Sequence, residues 1–81
     1  MPKKVIRQDG NRNIVGAKIR TLRADKNMEQ AELAKLLVKE GIKQADQKFV
    51  SLIELGNRGV YDYEIIALAK ALNVSCSDLL D

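Results

Sequence analysis

Apolar residues recur at intervals of three and four along most of this chain, and this spacing restricts its fold more than any other feature. Such a period places apolar side chains on one face of an α-helix, whereas a half-buried strand needs strict alternation of apolar and polar residues. The chain repeats the helical period several times and shows no alternation typical of strands. The sequence therefore predicts an all-α fold.

Residues that favour helix ends divide this pattern. Asn11 or Asn13 can cap a first helix that extends to about Lys26. Asn27 can cap a second helix. Gly41 is expected to end that helix, because glycine adopts the left-handed backbone conformation at little cost.

The second half of the chain continues in the same way. Asp46 can cap a third helix, which Gly56 is expected to end. A fourth helix begins near Asp62 and stops at Asn73, and Ser75 can cap a short final helix. The sequence thus predicts five short helices around one aliphatic core.

The composition limits what such a domain can do. At 81 residues with 46% hydrophobic residues, the chain can form one modest core. One cysteine and no histidine exclude an internal disulfide and an ordinary zinc site, and they suit a reducing cytoplasm. No segment approaches the roughly 20 apolar residues that span a bilayer. Without histidine or a glycine-rich phosphate loop, and with dispersed carboxylates, we expect no enzyme, cofactor or metal.

The charge is distributed unevenly. Residues 1–26 contain eight Lys and Arg residues and two acidic residues, whereas the remainder contains six basic and nine acidic residues. Such an asymmetry points to a polyanionic partner for the first third of the chain. Residues 1–11 lack apolar periodicity and are expected to form a flexible basic arm, followed by one domain over residues 12–81.

Three segments together resemble the phage-repressor or Cro-like helix-turn-helix family of the xenobiotic-response-element type. They are Gln30–Ala34, Val50–Gly56 and Ile65–Val74, and the resemblance covers roughly residues 14–80. It implies a DNA-binding domain in which the second helix crosses the phosphate backbone and the third enters the major groove.

The resemblance also implies roles for particular side chains. The outward face of the third helix is expected to contact bases through Gln47, Lys48, Ser51 and Leu52, which offer partners for adenine, guanine and the thymine methyl group. The alternatives are a solvated helix face for the three polar residues and a core or oligomer contact for Leu52. Phosphate contacts are expected from Gln30, Lys43, Asn57, Arg58, Lys3 and Lys4. Arg23 and Glu54 occupy positions where the family often has a partly buried ion pair; otherwise they are independent surface charges.

The chain departs from the family pattern between the second and third helices. The distance from Ala34 to Val50 is about six residues longer than the usual tight turn. We expect the second helix to extend to Lys39 or Glu40 and a longer loop to follow. That loop either displaces the third helix or adds Lys43 as a further phosphate contact.

These observations predict a sequence-specific double-stranded DNA-binding protein, a small cytoplasmic transcriptional regulator of the bacterial or phage type. A homodimer on a palindromic site is expected, with candidate interface residues Tyr61, Tyr63, Ile66 and Leu80 in the C-terminal part, unless these complete the monomer core. Three alternatives remain open: an antitoxin with a toxin partner, a restriction-modification controller protein, and a protein-interaction module that does not bind DNA.

Overall fold

Five α-helices contain most of the residues that the structure describes. The structure is a computed structural model that describes residues 4–6 and 14–80, excluding the side chains of residues 4–6, 14 and 80. The helices are α1 (Ile14–Asp25), α2 (Gln30–Lys39), α3 (Gln47–Glu54), α4 (Asp62–Leu72) and α5 (Cys76–Leu80). This confirms the predicted all-α fold of five helices. None of these helices is long and apolar enough to cross a membrane.

The first four helices end in the same way. Each is followed by a residue with positive φ, namely Asn27 (53°), Gly41 (99°), Gly56 (77°) and Asn73 (58°). In each case that residue's amide donates to the carbonyl three residues earlier, and the next amide donates to the carbonyl five residues earlier. This pattern is the Schellman motif, which satisfies carbonyls that the helix leaves unpaired.

The predicted stops at Gly41, Gly56 and Asn73 are therefore confirmed, whereas the predicted role of Asn27 is wrong. Asn27 ends α1 instead of capping α2. The residue before α2 is Glu29, whose side chain makes no capping hydrogen bond. An asparagine suits both positions, and the left-handed backbone at residue 27 decides between them.

The core is mainly aliphatic, with Phe49 of α3 as its aromatic member, and lies between all five helices. Its fully buried side chains include Ile19 of α1, Leu33 and Leu37 of α2, Val50 and Ile53 of α3, Leu68 and Leu72 of α4, and Leu79 of α5. α3 packs against both α1 and α2, while α4 packs against α2 and α5. Burying the inner face of α3 in this way fixes which of its side chains point outward.

Residues 40–46 connect α2 to α3 and form the enlarged loop expected from the sequence. Ile42 anchors this connection in the core with 3% of its surface exposed. Asp46 then caps α3, because its Oδ1 accepts a hydrogen bond of 2.8 Å from the amide of Phe49. The connection therefore has a buried anchor at its start and a helix cap at its end.

A short antiparallel pair of strands joins the N-terminal segment to the start of α4. β1 (Lys4–Ile6) pairs with β2 (Val60–Tyr61). The sequence analysis predicted no strand, because segments this short cannot show an alternation of apolar and polar residues. Part of the predicted flexible arm is thus paired with the domain. Lys3, the side chain of Lys4 and the expected boundary at residue 11 lie outside the described residues, so their roles stay predictions.

Candidate nucleic-acid interface

The first turn of α3 presents polar side chains on a rigid base. Gln47 and Lys48 are exposed and Ser51 is partly exposed, whereas Val50 and Ile53 are each 1% exposed and packed in the core. Leu52, the fourth residue expected at the DNA, is also partly exposed. The structure therefore brings the four expected base-contacting residues together on one short helix, with its N-terminus capped.

Arg23 and Glu54 form the expected ion pair between α1 and α3. Arg23 Nε lies 2.8 Å from Glu54 Oε2, and Arg23 Nη2 donates to Glu54 Oε1 at 3.1 Å. The side chains are 16% and 4% exposed, respectively. Arg23 Nη1 also donates to the carbonyl of Met28 at 2.7 Å. The hydrogen bond to Glu54 raises the pKa of Arg23, although partial desolvation acts in the opposite direction. Because Arg23 lies near the end of α1 and Glu54 is the last residue of α3, the ion pair joins the ends of these two helices.

Gln30 links this ion pair to the outward face of α3. Its Nε2 donates to Glu54 Oε1 at 3.1 Å, and its Oε1 accepts a long hydrogen bond of 3.5 Å from Gln47 Nε2. A chain of hydrogen bonds therefore runs from Arg23 through Glu54 and Gln30 to Gln47. Because Gln30 is the first residue of α2, the chain also fixes the start of α2 relative to α3.

Arg58 is partly exposed and makes contacts within the protein that the sequence analysis did not predict. Its Nη1 and Nη2 donate to Glu64 Oε1 and Oε2 at 2.8 and 2.9 Å, and Nη1 also donates to the carbonyl of Gly59 at 2.8 Å. The guanidinium carbon lies 4.4 Å from the centroid of the Phe49 ring. The hydrogen bond to Glu64 raises the pKa of Arg58. The expected phosphate contact by Arg58 stays a prediction. Only the N–H groups of the guanidinium that do not donate to Glu64 or Gly59 could make this contact.

Glu64 is the buried partner of Arg58, with a side chain only 1% exposed. Its Oε1 also accepts a hydrogen bond of 2.9 Å from the amide of Tyr61, at the start of α4. One sequence signal could have revealed this residue. Glu64 precedes Leu68 by one helical turn, so it lies on the apolar face of α4, where an acidic residue requires a partner.

The remaining expected phosphate contacts are exposed and lie on two different connections. Lys43 lies between α2 and α3, and Asn57 lies in the loop between α3 and β2. The sequence analysis assigned no role to Arg20 or Leu55, which line a cleft of about 230 Å³ together with Ser51. Leu55 is 64% exposed, so it extends the surface of α3 beyond the predicted set.

The residues expected at a dimer interface differ in their exposure to solvent. Tyr63 and Ile66 of α4 are 41% and 49% exposed, so they do not complete the monomer core. Tyr61 is partly exposed, and the Leu80 side chain lies outside the described residues.

Cys76 is a free, partly buried thiol. Among the residues that the structure describes, no three His, Cys, Asp or Glu side chains lie close enough together to hold a metal ion.

Two solved structures are similar to this arrangement. The restriction-modification controller protein C.AhdI from Aeromonas hydrophila is 31% identical and matches 83% of this chain and 94% of its own, with a TM-score of 0.72. The clp gene regulator ClgR from C. glutamicum is 29% identical and matches 85% of this chain and 82% of its own, also with a TM-score of 0.72. This chain belongs to the helix-turn-helix transcription regulators of the Cro/C1-like type. No protein-family model and no curated protein matches it.

In this helix-turn-helix regulator, α2 and α3 are the two helices of the DNA-binding unit. Both structural neighbours are regulators rather than enzymes. The unit differs from a tight helix-turn-helix in its long connection over residues 40–46. The packing of α3 against α1 and α2 nevertheless leaves the polar first turn of α3 uncovered, with Gln30 beside it.

Proposed function

We propose that this regulator binds a specific double-stranded DNA sequence by inserting the first turn of α3 into the major groove. The observation that carries the proposal is the polar outer face of α3, which is uncovered and is held in place by the Arg23–Glu54 ion pair and Gln30. A rigid helix with exposed amide, ammonium and hydroxyl groups suits recognition of base edges.

The proposed base contacts follow from the chemistry of four side chains. Gln47 can pair with N6 and N7 of adenine, Lys48 with O6 and N7 of guanine, and Ser51 with several bases. Leu52 can pack against a thymine methyl group. A long, exposed hydrogen bond of 3.5 Å joins Gln47 to Gln30, so the proposed base contact of Gln47 lies beside the proposed phosphate contact of Gln30.

The proposed phosphate contacts surround α3. Gln30 begins α2, where unpaired amides and the helix dipole favour an anion. Lys43 and Asn57 are exposed before and after α3, so they suit the two sides of the groove. Lys3 and Lys4 would add contacts from the N-terminal arm. Arg58 would contribute only through the N–H groups that Glu64 and Gly59 do not use.

We further propose a homodimer, because the few base contacts of one copy specify about half of a palindromic site. Tyr63 and Ile66 support this proposal, since both are large apolar residues exposed on α4. As a regulator of transcription, the dimer would act in the cytoplasm, where bacterial DNA lies.

A second candidate function is control of a restriction-modification system. It is favoured by the similarity to C.AhdI, which is a controller protein of such a system. An antitoxin role would require a toxin partner, and a toxin that co-purifies with the protein at constant stoichiometry would support that role instead.

Selection of bound sequences from a random pool of duplex DNA tests the proposed function. We expect one recurring sequence with two related half-sites. Lys48→Ala should relax the preference at one base pair by about 1 to 3 kcal/mol, because one direct base contact is lost. Lys39→Ala removes the same charge at the end of α2 and should leave the base preference unchanged.

Measuring the affinity against salt concentration completes this test. The logarithm of the association constant should fall linearly with the logarithm of salt concentration, with a slope of about −0.9 per phosphate contacted. An affinity that does not change with salt, or no enrichment of any sequence, would contradict the proposal. Equal effects of Lys48→Ala on every sequence would mean that Lys48 contacts phosphate only.

A further inference from the structure

A cleft between α1 and α3 contains a cation that the proposed DNA contacts do not use. We call it the α1–α3 cleft, and its volume is about 230 Å³. Arg20 and Arg23 lie on one face of α1, because they are three residues apart. Ser51 and Leu55 are one helical turn apart, and Leu55 is the C-cap of α3. The residues that line the cleft are Arg20, Arg23, Gln30, Ser51, Glu54 and Leu55.

The carboxylate in this cleft is already neutralised. Glu54 Oε2 accepts a hydrogen bond of 2.8 Å from Arg23 Nε, and Glu54 Oε1 accepts bonds of 3.1 Å from Arg23 Nη2 and Gln30 Nε2. Arg23 Nη1 donates to the carbonyl of Met28. Because Arg23 and Glu54 compensate each other, Arg20 determines the net charge of the cleft.

The two walls of the cleft offer different chemistry to a partner. Arg20 is exposed, and among the described residues it takes part in no salt bridge. A guanidinium group has a fork of N–H donors that matches two oxygens of a phosphate. On the opposite wall Leu55 is 64% exposed and presents apolar surface. The backbone of DNA has both matching parts, a charged phosphate and the carbon-rich face of the adjoining deoxyribose.

A neighbouring cleft is larger, at about 320 Å³, but its charge suits a phosphate less well. The residues that line it are Arg23, Glu29, Gln30, Ala31 and Gln47. The cation among them is Arg23, whose guanidinium already donates to Glu54 and to the Met28 carbonyl. A phosphate there would meet the exposed carboxylate of Glu29 without an available guanidinium. Charge therefore favours the α1–α3 cleft over the larger one.

We propose that the α1–α3 cleft binds one phosphate of the DNA backbone together with its deoxyribose. Arg20 donates to the phosphate, and Leu55 packs against the sugar. Because Ser51 lines the same cleft, this nucleotide lies beside the bases that α3 contacts. The contact adds α1 to the DNA-binding surface, which otherwise consists of α2, α3, the flanking segments and the N-terminal arm. This inference rests on the proposed function, because it names a further contact with the same DNA.

Binding of the duplex enriched from the random pool, measured at several salt concentrations, tests the role of Arg20. Arg20→Ala should bind about tenfold more weakly, and its salt slope should be shallower by about 0.9, because one phosphate contact is lost. The base preference should stay unchanged. Lys18→Ala is the matched control, because it removes the same charge from a different side of α1, outside the cleft. Its affinity should stay within about twofold of the wild-type value, since salt screens distant charges.

Duplexes with one neutral methylphosphonate in place of a phosphate locate the contact. At one position per bound copy, this change should weaken wild-type binding about tenfold but alter the affinity of Arg20→Ala less than about twofold, because the partner is already missing. At the other contacted phosphates, it should weaken both proteins equally. Leu55→Ala should weaken binding about threefold with an unchanged salt slope, because an apolar contact releases no counterion.

Circular dichroism should show that these variants remain folded, because the Arg20 and Leu55 side chains are exposed. If Arg20→Ala binds the enriched duplex with wild-type affinity and salt slope, the inference is overturned and the proposed function stands. Equal losses for Arg20→Ala and Lys18→Ala, or no phosphate position coupled to Arg20, would also overturn it, because Arg20 would then act only through overall charge. A wild-type protein that enriches no sequence would contradict the proposed function itself and this inference with it.

Discussion

Replacing Arg58 by alanine tests whether the contacts of this residue stabilise the fold. The substitution removes two hydrogen bonds to Glu64, one to the Gly59 carbonyl and the contact with the Phe49 ring. Glu64 would keep the hydrogen bond from the Tyr61 amide but lose its only salt bridge among the described residues. The variant thus leaves a carboxylate without a counter-charge in a site where its side chain is 1% exposed.

The expected loss of stability is large for a domain of this size. Removing one partner of a buried ion pair costs about 3 to 5 kcal/mol. Because the Arg58 side chain is 25% exposed, water can replace part of the interaction, and we expect the lower end of this range. A domain of 81 residues is typically stable by about 4 to 12 kcal/mol. A loss of about 3 kcal/mol should lower the melting temperature by about 12 to 24 °C.

Urea unfolding followed by circular dichroism measures this loss in a double-mutant cycle. The variants are Arg58→Ala, Glu64→Gln and the combination of both. We expect the combination to be more stable than Arg58→Ala alone, because a neutral amide replaces the unpaired carboxylate. If Arg58→Ala and Glu64→Gln each cost less than about 1 kcal/mol, the pair behaves like an exposed one and this reasoning is refuted.

Measuring the DNA affinity of Arg58→Ala separates the structural role of Arg58 from a role in DNA binding. If Arg58 acts mainly within the fold, Arg58→Ala should bind DNA with nearly wild-type affinity at a temperature where it remains fully folded. A uniform loss of affinity for all DNA sites in the folded variant, with a salt slope shallower by about one unit, would support the expected phosphate contact instead.

Two further predictions concern how α3 is held. Asp46→Ala should cost about 1 kcal/mol in urea unfolding, because the Phe49 amide loses its capping acceptor, and unchanged stability would mean that water replaces this cap fully. Glu54→Ala should cost about 3 to 5 kcal/mol in a thermal melt, because the Glu54 side chain is 4% exposed and pairs with Arg23; a cost below about 1 kcal/mol would indicate a solvent-screened pair.

The helices and the core could be predicted because their signals are local. Apolar spacing determines which face of a helix is buried, and Val50 and Ile53, which are three residues apart on α3, are each 1% exposed. Glycine and asparagine stops depend on the backbone preference of one residue, which located the ends at Gly41, Gly56 and Asn73. The Arg23–Glu54 pair was expected from resemblance to a family, since residues so far apart in sequence show no local pattern.

The features that sequence analysis missed depend on contacts between distant or differently oriented segments. Arg58 and Glu64 meet because the loop after α3 turns the guanidinium towards the buried side of α4. Whether Asn27 starts one helix or ends another depends on a backbone angle that no residue preference determines. Two strands as short as β1 and β2 have no periodicity of their own and become visible only as a pair.

The sequence by itself determined that this protein is a helical domain with a polar outer face on its third helix, because helix period and helix ends are local properties of the chain. Only the tertiary structure decided which charged side chains are free to meet a partner. Arg58 is a cation in the sequence, but packing commits much of its guanidinium to Glu64. Arg20 and Ser51 are distant in sequence, and packing of α3 on α1 brings them to one cleft.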